Sequence, residues 1–129
     1  MTHKAPQSHA IVLFAHGSRD PLWHRPMEAV ADLIRARAPA VPVVCAYLEL
    51  SQPDLPSAVA KLIAQGVQHV VVTPMFLGVG KHAREDLPLL AEALRSQYPT
   101  VEFTLRSAVG EDPRLTALLA DMALEGAIS

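Results

Sequence analysis

The chain has 129 residues, half of them hydrophobic and 19% charged, with a formal net charge of −2. That balance fits one compact domain and excludes both a disordered chain and a globally basic nucleic-acid binder. Cys45 is the one cysteine, so no intrachain disulfide is available, and its apolar surroundings in the sequence suit a small buried hydrophobe.

Residues 1–8, at the start of "MTHKAPQSHA", read as a polar tail ahead of a single domain spanning 9–129. The start lacks the basic-then-apolar order of a signal peptide. No stretch reaches the roughly 18 apolar residues of a membrane span. A cytoplasmic protein that binds neither membrane nor nucleic acid is the expectation. "HAIVLFA" (9–15) is a short continuous apolar run, the pattern of a strand buried on both faces. Met27, Val30 and Ile34 then fall at i, i+3 and i+7, predicting a first helix. "VPVVCAYLEL" (41–50) predicts a second strand, and Leu55, Val59, Leu62 and Ile63 share one face of a second helix that Gly66 is placed to end. "HVVVTPMF" (69–76) predicts a third strand, and Leu87, Leu90, Ala91 and Leu94 stripe a third helix. "VEFTLRS" (101–107) alternates as an edge strand does. Leu115, Leu118, Leu119 and Met122 stripe a fourth helix, with Asp112 as its N-cap and Pro113 at its first position.

Strand and helix alternate four times, which predicts an α/β domain: a four-stranded parallel sheet in the order 2-1-3-4 with helices on both faces. In such a sheet ligands bind beyond the C-terminal ends of the strands. "HGSRD" (16–20) follows strand 1, Glu49 lies near the end of strand 2, "MFLGVGKHARED" (75–86) follows strand 3, and Arg106 and Ser107 follow strand 4. Parallel strands bring these ends to one edge, so His16, Glu49 and His82 are placed to converge. Two imidazoles and a carboxylate suit a divalent first-row metal. Gly17 allows a sharp turn after strand 1, and Gly78 and Gly80 loosen the loop after strand 3. Arg19, Lys81 and Arg84 flank the histidines and suit an anionic substrate. His3 and His9 belong to the tail and the strand start, and His69 falls at the opposite edge of the sheet. Trp23 reads as a packing residue near the start of helix 1, with His24 beside it near the rim of the edge.

Together, "FAHGSRDP", "AYLELSQPDLP" and "VTPMFLGVGKHAREDLP" resemble the short form of the CbiX family, the sirohydrochlorin chelatases of the class II chelatase superfamily. The likeness runs from about residue 10 to 125. It implies a flavodoxin-like chelatase fold and insertion of Co²⁺ or Fe²⁺, or Ni²⁺ as in some relatives, into the tetrapyrrole sirohydrochlorin, in cobalamin or siroheme biosynthesis. The metal is then a substrate, and no organic cofactor is implied. His16 and His82 match the catalytic, metal-binding histidines, and Glu49 matches an assisting acidic position. Ser18, Arg19, Gly80, Lys81 and Arg84 are the expected substrate contacts, and a homodimer is the expected assembly. The ending "LEGAIS" lacks the His-rich segment of some members.

Two other readings compete. A phosphoryl-transfer enzyme with His16 as nucleophile would want a dense arginine pocket, whereas only Arg19 is near it in sequence. A metal carrier or flavodoxin-like binding module would share the metal site without acting on a macrocycle.

Overall fold

The structure is a computed structural model and describes residues 9–128; the expected tail at 1–8 lies outside the described residues. Four strands, β1 (His9–Ala15), β2 (Val43–Tyr47), β3 (His69–Pro74) and β4 (Glu102–Leu105), form one sheet in the order β2-β1-β3-β4, and all neighbours pair in parallel. Helices α1 (Arg25–Arg37), α2 (Leu55–Ala64) and α3 (Lys81–Gln97) fill the crossovers, and α4 (Pro113–Ile128) follows β4. The expected class, order and direction of the strands are all present.

The period-2 alternation of the central strands sorts the core into two layers. Ala10, Val12 and Phe14 of β1 face one side with Ala46, Val70, Val72 and Phe103, under α2 and α3. Leu13 and Ala15 face the other side with Val43, Cys45 and Tyr47, under Met27 and Ala31 of α1. The residues that β1 buries on both faces explain why its run is unbroken by polar side chains.

Local signals set the helix ends. The Asp54 carboxylate accepts the Ser57 N–H at 2.8 Å and caps α2, and Gly66 at φ +95 ends it after Gln65. Asp112 accepts the Arg114 N–H at 2.8 Å ahead of Pro113, so α4 starts where its cap predicts. In α1 the buried residues are Met27 and Ala31, with Ile34 half-buried; Val30 turns outward, because the stripe runs i, i+4 and i+7 rather than through i+3. Helix α3 begins at Lys81, earlier than its apolar stripe, because Gly80 supplies an extended N-cap. It carries Pro88 inside, and Pro88 has no N–H to give the Arg84 carbonyl one turn before it.

The largest departure concerns α4. Its expected apolar stripe is out in solvent: Leu118 is 54% and Met122 58% exposed, and Leu119 is exposed too. The helix does not lie on the sheet. On the α1 side, β3 and β4 therefore lack a covering helix, and Val71, Thr73 and Thr104 stay half-buried.

Candidate active site

His16 is the first residue past β1, on the side of the sheet that carries α2 and α3. Its exposed imidazole packs on buried Phe76, ring centroids 4.4 Å apart. Phe76 belongs to the loop that leaves β3, so the two central strand ends meet through this contact. Six residues on, His82 is exposed in the first turn of α3, on the helix rather than in the loop. Thus β1 and β3, neighbours in the sheet, each send one histidine to the same edge.

The turn after His16 is tightly specified. Gly17 has φ +105, and a Cβ there would lie 1.8 Å from the Glu49 carbonyl oxygen, so only glycine fits. The β1–β2 ladder runs past the strand ends: the Leu48 N–H reaches the Ala15 carbonyl and the Glu49 N–H reaches the His16 carbonyl, each at 2.9 Å. Continuing the alternation of β2, position 48 falls on the side of His16 and position 49 on the side of α1. Among the described residues no three His, Cys, Asp or Glu side chains are grouped closely enough to hold a metal ion. The edge therefore brings His16 and His82 to adjacent strand ends without a three-ligand cluster that includes Glu49.

Ser18 is held rather than offered. Its N–H donates to Ser51 Oγ at 3.0 Å, the Ser51 hydroxyl donates back to the Ser18 carbonyl at 2.7 Å, and His24 Nε2 donates to the same carbonyl at 2.9 Å. The His24 ring is packed by Trp23 and Tyr47. His24 is thus a brace beneath the turn that carries His16. Burial pushes the Tyr47 hydroxyl up, with Cys45 and Glu28 adding to the effect. The Cys45 thiol is pushed up to about 11, first by burial and then by Glu28, which agrees with the expected inert core thiol.

Arg19 and Lys81 are exposed beside the two histidine-bearing segments. Arg84 donates to the Val79 carbonyl at 3.2 Å and, with Arg106 and Glu111, borders a cavity of about 200 Å³ between α3 and the end of β4. It is directed toward the β4 flank of the loop. Gly80 is the N-cap of α3 and has open space around it. His69 donates or accepts at Thr104 Oγ1, 2.8 Å away, at the N-terminal edge of the sheet as expected.

The sequence reading passed over a set of apolar residues at this edge. Leu48 and Leu50 beyond β2, Leu77 beyond β3 and Leu22 beyond β1 are between 41% and 67% exposed. Leu50 holds φ +65, a conformation that costs a leucine about 1–3 kcal/mol, yet its side chain is not buried in return. Large apolar side chains thus stand exposed in the segments after three strand ends, and Leu48 borders a cavity of about 320 Å³ with Leu89 and Leu90 of α3. Their signal in the sequence was leucine in segments otherwise rich in Gly, Ser and charge. A groove of about 700 Å³ lies elsewhere, along the open edge of β2 beside Pro42, Gln52 and Lys61.

The CbiX family model matches residues 10–125. The chain belongs to the CbiX family. It is 28% identical to the sirohydrochlorin cobaltochelatase of Methanocaldococcus jannaschii, over 88% of this chain and 96% of that one. It is 37% identical to the enzyme of the same name from Methanothermobacter thermautotrophicus over 60% of this chain, and spans about half, 54%, of that protein's length. The sirohydrochlorin ferrochelatase of Bacillus subtilis is 32% identical over 80% of this chain and 40% of its own. Among solved structures, a CbiX protein from Marinobacter aquaeolei VT8 superimposes with a TM-score of 0.74 at 34% identity, covering 92% of this chain and 96% of that one. The SirB chelatase of Bacillus subtilis subspecies spizizenii, in complex with cobalt, gives 0.69 at 27% identity over 81% of this chain and 45% of its own.

Proposed function

We propose that this CbiX protein inserts a divalent metal, Co²⁺ or Fe²⁺, into sirohydrochlorin. The observation that carries the reading is the position of His16, the first residue past β1, and of His82, in the first turn of the helix that follows the adjacent strand β3, with exposed leucines and with Arg19 and Lys81 in the same strand-end segments. Sirohydrochlorin is a flat macrocycle bearing eight carboxylates. Its ring suits the apolar loops, and its carboxylates suit the basic residues. As M²⁺ enters the ring, the two pyrrole N–H groups lose their protons. A histidine is a competent acceptor near neutral pH, and the same imidazole type holds a first-row metal before transfer.

In this reading His16 and His82 hold the incoming metal and accept protons. Arg19, Lys81 and Arg84, with Ser18 and Gly80, contact the substrate, and Glu49, whose backbone N–H is bonded to the His16 carbonyl, is assigned an assisting role. Ni²⁺ is accepted as a third metal, no organic cofactor takes part, and the protein acts in the cytoplasm as a homodimer whose second copy closes the cleft. Among the described residues no helix is long and apolar enough to cross a membrane.

The test is anaerobic mixing of protein, sirohydrochlorin and each of Co²⁺, Fe²⁺ and Ni²⁺, followed by absorbance. Spectral conversion faster than the protein-free control supports the reading. Metal binding with conversion at the control rate overturns it in favour of a carrier.

A further inference from the structure

Two histidines that the candidate active site does not use meet at the other end of the sheet. His9 opens β1 and His69 opens β3, and the parallel register sets them side by side, with Glu102 of β4 next in the same row. Strand alternation directs all three to the α1 side, the side of Leu13 and opposite to that of Val70 and Phe103. The His69 imidazole is half-buried there, and His9 and Glu102 are exposed. Because β1 is seven residues long, this row stands roughly 20 Å from His16.

The pair has the spacing of a chelate. The two ring centres are 4.8 Å apart and the rings are tilted by 49°. A first-row ion sits about 2.1 Å from an imidazole nitrogen, hence about 3.2 Å from the ring centre. With an angle of about 90° to 110° at the ion, the two ring centres fall roughly 4.5 to 5.3 Å apart. The observed spacing lies inside that interval. One ring is also oriented by a neighbour, since His69 Nε2 lies 2.8 Å from Thr104 Oγ1. When Nε2–H donates to that hydroxyl, the lone pair of the ring is left on Nδ1. A hydrogen bond of this kind fixes the tautomer of a metal-ligating histidine.

We infer that His9 and His69 bind a divalent first-row transition-metal ion, a second metal site at the far edge of the sheet from His16 and His82. Neutral imidazoles select such an ion over Mg²⁺ or Ca²⁺, which want oxygen ligands. Among the described residues no third His, Cys, Asp or Glu joins the pair, so water completes the shell. The exposed Glu102 carboxylate adds negative charge on the same face. A bound ion ties the first residues of the two central strands together, so it stabilises the folded chain by mass action.

This site stands apart from the chelatase reading, and its test needs no sirohydrochlorin. Zn²⁺ is titrated by calorimetry into the full chain carrying His3→Ala, His16→Ala and His82→Ala, which removes the other candidate ligands of the tail and of the strand-end edge. It is then titrated into the same chain with His69→Gln, His9→Gln or Thr104→Val added. The glutamine amide keeps a donor for Thr104, and circular dichroism checks the fold of each variant. The expected result is one Zn²⁺ per chain for the starting variant and binding roughly 100-fold weaker for either glutamine substitution. Thr104→Val should cost roughly 10-fold, the scale of a lost outer partner. Zn²⁺ should also raise the urea midpoint of the starting variant but not that of the chain with His69→Gln. An absence of binding to the starting variant overturns the site, and so does an affinity that either His69→Gln or His9→Gln leaves unchanged.

Discussion

His16 and His82 carry a structural burden opposite to that of Gly17. Both imidazoles are exposed and neither fills the core. His16→Ala and His82→Ala are therefore expected to keep the wild-type circular dichroism and urea midpoint while metal insertion falls on the order of 10²-fold or more, the scale of a lost proton-transfer group. Near-normal turnover in both folded variants would sink the assignment. Gly17→Ala has the reverse signature. Its φ of +105 and the Glu49 carbonyl 1.8 Å from an added Cβ leave no room without moving the β2 loop. We expect a stability loss of roughly 3 kcal/mol, from backbone strain together with the forced shift, measured by urea unfolding. A loss under about 0.5 kcal/mol, the range of an ordinary surface substitution, would show that the two loops are not locked together.

At the scale of elements, α4 is held at its start by charge. The Asp112 carboxyl is lowered from 3.8 to about 2, chiefly by its hydrogen bonds to the Arg114 guanidinium and backbone. A depressed carboxyl stabilises the folded cap above its unfolded value and loses that contribution as pH falls through the folded one. Helicity at 222 nm should thus decline between about pH 4 and 2 more in the wild type than in Asp112→Asn, which keeps a cap but has no charge to lose. Equal declines would remove Asp112 from the account. The same helix shows where sequence reading stops. Its cap, its proline and its stripe were all visible, since each is a local signal, and so were the strands and the order of the sheet. What a stripe packs against is not local: Leu118 and Met122 look the same whether they cover their own sheet or another copy's. The histidines were legible because strand ends are marked by the switch from apolar to polar residues. The leucines at the edge were not, because an apolar residue in a loop reads as part of the neighbouring core, and only its exposure separates Leu48 and Leu77 from Phe76. Glu49 was read as converging with His16, a matter of which side of β2 it follows, and one residue of register decides that.

For the whole molecule, the proposed homodimer would have a stability tied to concentration, because a dimer dissociates on unfolding and mass action then raises Tm with total protein. Calorimetry from about 1 to 100 μM should show Tm climbing by several degrees. A constant Tm would count against the homodimer. The edge that holds His16 and His82 is also the edge to which α4 is pinned, through Gly110 against Leu77.

Pro88 divides α3 into an exposed part and a packed part. Leu87, Ala91 and Leu94 are buried and hold the later part of α3 to the sheet. From Lys81 to Asp86 every residue except Ala83 is exposed, and the Arg84 carbonyl has no N–H at position 88 to receive. Fraying of the first turns then stops at the proline, where the next bonds belong to the packed segment. In hydrogen-exchange terms the amides of Glu85 and Asp86 are expected to trade with solvent through a brief local opening, at rates indifferent to denaturant. Those of Leu94 and its neighbours wait for the sheet itself to come apart. His82 stands on the exposed part, so the spacing between the two histidines is expected to adjust without disturbing the core.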